Sequence, residues 1–211
     1  MIPGSELVYA CPNCGEKIIV GSIESGNTFG ATLFSDGMQR APMLPQYPDE
    51  TKCKKCGTIF GFTEKTFVSE ANALYRSSRM KGENLIIHQA TFLQVEDYQT
   101  KIELNQGSEE RNRFLMWHTA NGTYGAYGQR SVDTEQYIDN CKKLIEMIKD
   151  TDDSNRKITL AELYRNIGDF ESCEKIISNL EAEFDWVKEP FLDKCREMNI
   201  DTFILRGGRV Y

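Results

Sequence analysis

The sequence predicts an α+β chain, with a small N-terminal β domain over residues 1–62 and a mainly helical domain over residues 63–211. Three observations predict it. Two Cys-x-x-Cys-Gly segments, CPNCG at Cys11 to Gly15 and CKKCG at Cys53 to Gly57, sit among turn residues and short apolar runs. The interval between them, 38 residues long, holds three of the chain's six prolines. After Asp133 apolar residues recur at helical spacing to near the C-terminus.

Taken in order, VYA before the first pair, KIIV after it and TIFGF after the second read as strands. Within the interval, TFGATLF adds a strand and APMLPQYP runs extended over the surface, since proline and the residue before it favour that conformation. From Glu64 the texture changes: IIH is β-like, and a helix is expected from near Phe92. EERNRFLMWHTANG reads as a helix ending near Asn121 or Gly122, followed by the turn-rich loop GTYGAYGQRS and a cap at Asp133 or Thr134. TEQYIDNCKKLIEMIKD then places Tyr137, Ile138, Cys141, Leu144, Ile145 and Ile148 on one stripe. ITLAELYRNIG and FESCEKIISNLEAEF form a helix pair turning at Gly168 and Asp169. A last helix is expected around PFLDKCREM with Pro190 in its first turn, and DTFILRGGRVY as a short strand or ordered tail.

Charge excludes some functions. With 25 basic and 32 acidic side chains the net charge is −7, and residues 1–62 hold only 5 basic against 6 acidic. A nucleic-acid backbone is bound by clustered lysine and arginine, and Arg40, Lys52, Lys54 and Lys55 make only a sparse candidate patch. The N-terminus has no positive start and apolar run of a secretory signal, and no stretch nears the roughly 18 apolar residues of a membrane span. A cytoplasmic protein is expected.

Of seven cysteines, four make the two pairs. Cys141, Cys173 and Cys195 fall in helix-like sequence and are expected to be buried thiols. In a reducing compartment the four paired cysteines point to a metal. Each Cys-x-x-Cys places two thiolates on one knuckle, and Cys11, Cys14, Cys53 and Cys56 together supply the corners of a tetrahedron. A thioredoxin-like redox pair would need a helix to lower its thiol pKa, and neither pair precedes one.

Over residues 8–62 the chain resembles the zinc-ribbon family through CPNCG, CKKCG and the strands beside them. The resemblance implies a structural zinc ion on Cys11, Cys14, Cys53 and Cys56, with the long interval as an insertion. Rubredoxins also use two such knuckles, and LPQYPDETKCKKCG resembles the approach to their second one. That resemblance implies iron and one-electron transfer, and four sulfurs alone do not choose between the metals.

LAELYRNIGDFESCEKIISNL resembles a tetratricopeptide repeat unit through Leu160, Ala161, Tyr164, Gly168, Phe170, Cys173, Ile177 and Leu180. The resemblance covers residues 154–187. Cys173 replaces the usual small alanine and Asp185 stands where the pattern often has proline. It implies a helical hairpin, and in arrays of such units a protein-binding face.

RFLMWHTANG joins Arg113, Trp117, His118 and Asn121 near one helix end, a candidate interaction site for an acidic peptide or small ligand; the bland alternative makes Trp117 a core anchor. His88 is read as structural, Glu109-Glu110 and Asp152-Asp153 as solvated flanks, and GTYGAYG lacks a phosphate-binding pattern. No nucleophile, base and orienter occur at a catalytic spacing. The leading expectation is a zinc-stabilised interaction or scaffold protein with a protein partner or self-association. An iron electron carrier is the alternative, and a nucleic-acid-binding ribbon stands behind it.

Overall fold

The computed structural model describes residues 1–81, 86–122 and 134–207. Its strands, all short, are β1 (Ile2–Pro3), β2 (Leu7–Ala10), β3 (Lys17–Val20), β4 (Ile23–Ser25), β5 (Thr32–Phe34) and β6 (Gln39–Arg40). β7 (Glu50–Lys52), β8 (Ile59–Gly61) and β9 (Phe67–Glu70) follow, then α1 (Ala71–Met80) and β10 (His88–Gln89). Helices α2 (Val95–Glu103), α3 (Glu109–Ala120), α4 (Thr134–Ile148), α5 (Ser154–Asn166), α6 (Phe170–Ser178) and α7 (Asp185–Arg196) come next, and β11 (Ile204–Arg206) follows. The protein is mixed α+β, and among the described residues no helix is long and apolar enough to cross a membrane.

Two compact units divide it: Met1–Phe29 with Arg40–Leu93, and Gly30–Gln39 with Gln94–Tyr211. The division differs from a single boundary at residue 62. Residues 63–93 join the first unit because β9 pairs with β2, β10 pairs with β3, and α1 follows directly from β9.

In the first unit the sheet runs β10-β3-β2-β9, and both its faces are covered. Val8 opposite Ile19 packs on Ala71 and Leu74 of α1. Tyr9 opposite Ile18 turns to the other face, towards Cys11, Cys53 and Phe60. That double burial explains why KIIV reads as a continuous apolar run instead of alternating. APMLPQYP forms no helix and has one isolated bridge, Ala41 with Leu44. Its Tyr47 ring lies where a Cβ on Gly21 would stand, 2.4 Å away, so only glycine fits opposite it.

In the second unit each helix from α2 to α7 packs on its sequence neighbours. The stripe on α4 is buried at Tyr137, Cys141, Leu144, Ile145 and Ile148, while Ile138 is half-buried. Cys173 and Cys195 are buried in one cluster with Ala161, Ile177, Val187 and Phe191. Burial pushes both thiols up, keeping them protonated and inert.

Two helix starts differ from expectation. α2 begins at Val95, after a reciprocal cap in which the Asp97 carboxylate accepts from the Gln94 backbone N–H at 2.9 Å. α7 begins at Asp185, five residues before Pro190, which lies inside it. Val187, Phe191 and Cys195, spaced by four, form its buried stripe and carry the helix through the proline. The loop GTYGAYGQRS and the Asp133 cap lie outside the described residues beyond Gly122, as does the chain after Gly207.

The segment Gly30–Gln39 groups with the helices through buried polar bonds. Ser35 Oγ donates to Glu162 Oε1 at 2.8 Å and accepts from the Phe203 backbone N–H at 3.0 Å. Asp36 Oδ2 accepts from Asn121 Nδ2 at 3.1 Å. On α5, Glu162 accepts from Arg165 Nε at 2.9 Å, and Arg165 also donates to the carbonyls of Asn199 and Asp201. Asn166 Nδ2 donates to the Ile200 carbonyl at 2.9 Å. Burial pushes the Glu162 carboxyl up, against Arg165 and Ser35, which hold it down. Replacing Ser35 by Ala removes a donor from a buried carboxylate and a partner from a backbone N–H. It should cost about 1–3 kcal/mol in urea unfolding of the helical unit, and an unchanged midpoint would contradict the tie.

Candidate metal centre

Each cysteine pair is the turn of an antiparallel hairpin, β2 with β3 for the first and β7 with β8 for the second. The two knuckles repeat one set of bonds. Gly15 N–H donates to the Cys11 carbonyl at 2.9 Å and Gly57 N–H to the Cys53 carbonyl at 2.8 Å. Cys11 N–H reaches the Glu16 carbonyl at 2.8 Å and Cys53 N–H the Thr58 carbonyl at 2.9 Å. Gly15 and Gly57 take φ of 71° and 75°, the left-handed region, while a Cβ on either would meet nothing within 4 Å. Backbone conformation therefore selects glycine here, not crowding.

The first cysteine of each knuckle points inward. Cys11 and Cys53 are buried in one cluster with Ile18 and Phe60, each seven residues further on, whereas Cys14 is half-buried and Cys56 exposed. Inner sulfur meets outer sulfur: Cys11 Sγ lies 3.6 Å from Cys56 Sγ, and Cys14 Sγ 3.6 Å from Cys53 Sγ. All four lie within 4.8 Å of one another. A tetrahedral ion with metal–sulfur bonds of about 2.3 Å needs sulfur–sulfur edges of about 3.8 Å. The donor set fits such an ion.

Electrostatics agree with that fit. At Cys14 the Glu16 backbone favours the thiolate, but burial and the neighbouring thiols outweigh it and push the group up to about 12. At Cys56 the side chain and backbone of Thr58 pull the thiol down to about 6. Four sulfurs this close do not all ionise by themselves, because each new thiolate faces the others; a bound cation removes the conflict and displaces the protons. Asn13 Nδ2 donates to Thr58 Oγ1 at 3.2 Å, and Lys55 lies 3.5 Å from Glu16, so each knuckle also touches the other through side chains.

Of Arg113, Trp117, His118 and Asn121, expected as an interaction site, Arg113, Trp117 and Asn121 are buried and His118 is half-buried. Trp117 is fully buried, its Nε1 donating to Tyr137 Oη at 3.2 Å and Asn166 Oδ1 at 3.0 Å. Arg113 is buried, bonded to Glu109 at 2.8 Å and Asn140 at 3.2 Å. Asn121 is bound by Asp36 and Tyr137. Glu109 and Glu110, read as solvated flanks, pair with Arg113 and Arg156, and Asp153 caps α5. His88 lies exposed on β10.

His118 Nε2 bonds the Asp36 backbone carbonyl at 3.1 Å, and a carbonyl only accepts, so the neutral ring carries its proton on Nε2. Burial pushes the imidazole below its ordinary value, against Asp36, which raises it. Below about pH 6.5 the unfolded chain gains a proton that the folded chain refuses, so stability present above that pH is lost as pH falls. His118→Gln, which keeps an N–H donor, should flatten the melting temperature between about pH 7.5 and 5.5; an unchanged slope would contradict the assignment.

At the four sulfurs, the purified chain should hold about one tightly bound metal ion, as a tetrahedral site requires. Elemental analysis of Cys53→Ser should find most of it gone, with a lower melting temperature for the first unit. Full metal content and unchanged melting would remove Cys53 from the ligand set. No family model, curated protein or solved structure matches the chain.

Proposed function

We propose that Cys11, Cys14, Cys53 and Cys56 hold a structural zinc ion in a zinc-ribbon-like unit, and that the chain is a non-catalytic interaction or scaffold protein. The observation that carries this reading is the size of the donor set: four protein sulfurs lie within 4.8 Å of one another, enough to fill a tetrahedral ion and leave no position for water or substrate. Zinc without an open position supplies folding energy, not a nucleophile.

The helical unit then provides the recognition surface. Two features support a tetratricopeptide-like reading of α5 and α6: the turn at Gly168, with φ of 85°, and the small Ala161 and Cys173 buried in their shared cluster. Neighbour-on-neighbour packing from α2 to α7 is the arrangement in which helical repeats expose a continuous face. Arg113, Trp117 and Asn121 serve this surface from beneath, holding the helices together.

The test uses the full chain with its metal. It is immobilised, and every captured protein is rebound as a purified component, while sedimentation follows self-association. The reading expects saturable binding to one purified partner, or a defined oligomer. A chain that stays monomeric and binds no purified candidate would overturn the scaffold role, and a reversible visible absorption band from a ferric tetrathiolate would replace it with iron electron transfer.

A further inference from the structure

Between the end of α4 and the paired helices α5 and α6 lies a cavity of about 360 Å³. Its floor is apolar, made by Leu160, Tyr164 and Ile176; these residues also close the core of the helical unit. Its rim is cationic: Lys149 follows α4, Lys157 stands in the first turn of α5, and Lys175 lies on α6. Thr151 and Asn179 add neutral polar groups between them.

Three lysines on one cavity run against a chain of net charge −7. Several other cations of the helical unit are held in ion pairs, among them Arg113, Lys143, Arg156, Lys188 and Lys194. Lys149 likewise meets Glu146 at 2.7 Å. Neither Lys157 nor Lys175 has a carboxylate within 4 Å among the described residues. Glu181, whose carboxyl is held down first by the Ser154 hydroxyl at 2.6 Å and then in small part by Lys157, makes no direct ion pair with it. Two ammonium groups without a direct ion pair among the described residues therefore line a pocket with an apolar base.

We propose that this cavity binds an acidic peptide segment, with carboxylates on Lys157 and Lys175 and an apolar side chain on the Leu160, Tyr164 and Ile176 floor. The assignment rests on the interaction reading above and names the partner's chemistry. A free phosphate would leave the floor uncovered. A nucleic-acid strand would need a cationic track along the surface, whereas the cations here ring one cavity in an acidic chain.

The experiment is fluorescence anisotropy on the full chain with its metal, using a labelled peptide of Asp and Glu flanking a Leu-Phe pair. Its neutral counterpart, with Asn and Gln, and inorganic phosphate are the comparisons. The acidic peptide should bind saturably, the neutral one about tenfold or more weaker, and added salt should weaken binding. The double variant Lys157→Glu, Lys175→Glu should lose about tenfold or more, while Lys142→Glu on the exposed side of α4 should stay within about twofold. Circular-dichroism melting checks that the variants fold, Lys175 and Lys142 being exposed and Lys157 half-buried. No saturable binding, equal binding of the neutral peptide, no loss in the folded double variant, or displacement by equimolar phosphate would each overturn the proposal. Those outcomes leave the scaffold reading standing, since partner capture and sedimentation test it through any surface.

Discussion

Four sulfurs held within 4.8 Å of one another make a demand that the rest of the first unit answers. Brought this close, thiolates repel, so the arrangement is stable only with a cation among them or with most of the protons kept. Two hairpins present their knuckles in matching form, with left-handed glycines at Gly15 and Gly57 and matching amide bonds to the first cysteine of each pair. Cys11 and Cys53 are both candidate ligands and core residues, sharing one cluster with Ile18 and Phe60. An ion at this point would crosslink the two hairpins, and structural zinc contributes on the order of 10–16 kcal/mol in small domains. That is comparable to the whole stability of an ordinary domain.

The helical unit is held differently. Its centre includes a buried ion pair, Glu162 with Arg165, both side chains fully buried and joined at 2.6 Å. Around it Ser35, Asn166, and the carbonyls of Asn199, Ile200 and Asp201 satisfy the remaining donors and acceptors. Such a pair costs desolvation and returns it only when every partner is present. Its effect here is to specify where two distant stretches, residues 32–36 and 199–203, lie against α5. Trp117, Tyr137 and Asn121 extend the same polar network into α3 and α4.

Much of this was legible in the sequence, for identifiable reasons. Cysteine spacing located the four sulfurs because a tetrahedral site imposes a local pattern twice. The α4 stripe and the Gly168 turn were legible because helical periodicity and left-handed glycine leave local marks. Glu162, Arg165 and Asn166 were not, since polar residues on a helix read as solvated and their partners stand up to 127 residues away. The placing of Gly30–Gln39 with the helices was hidden for the same reason: Ser35 and Asp36 have the composition of an ordinary turn. In α7, the rule that proline opens a helix pointed to Pro190, and the buried stripe of Val187, Phe191 and Cys195 overrode it.

What holds the protein together is thus separate from what it presents to others. A closed sulfur cluster organises the first unit, and a polar hub organises the second, whose outer face carries the lysine-rimmed cavity. The most direct measurement of the central claim is X-ray absorption at the zinc edge on the protein as purified. A single shell of four sulfurs at about 2.3 Å is the predicted result. Nitrogen or oxygen atoms in the shell, fewer than four sulfurs, or an iron edge in place of zinc would contradict it.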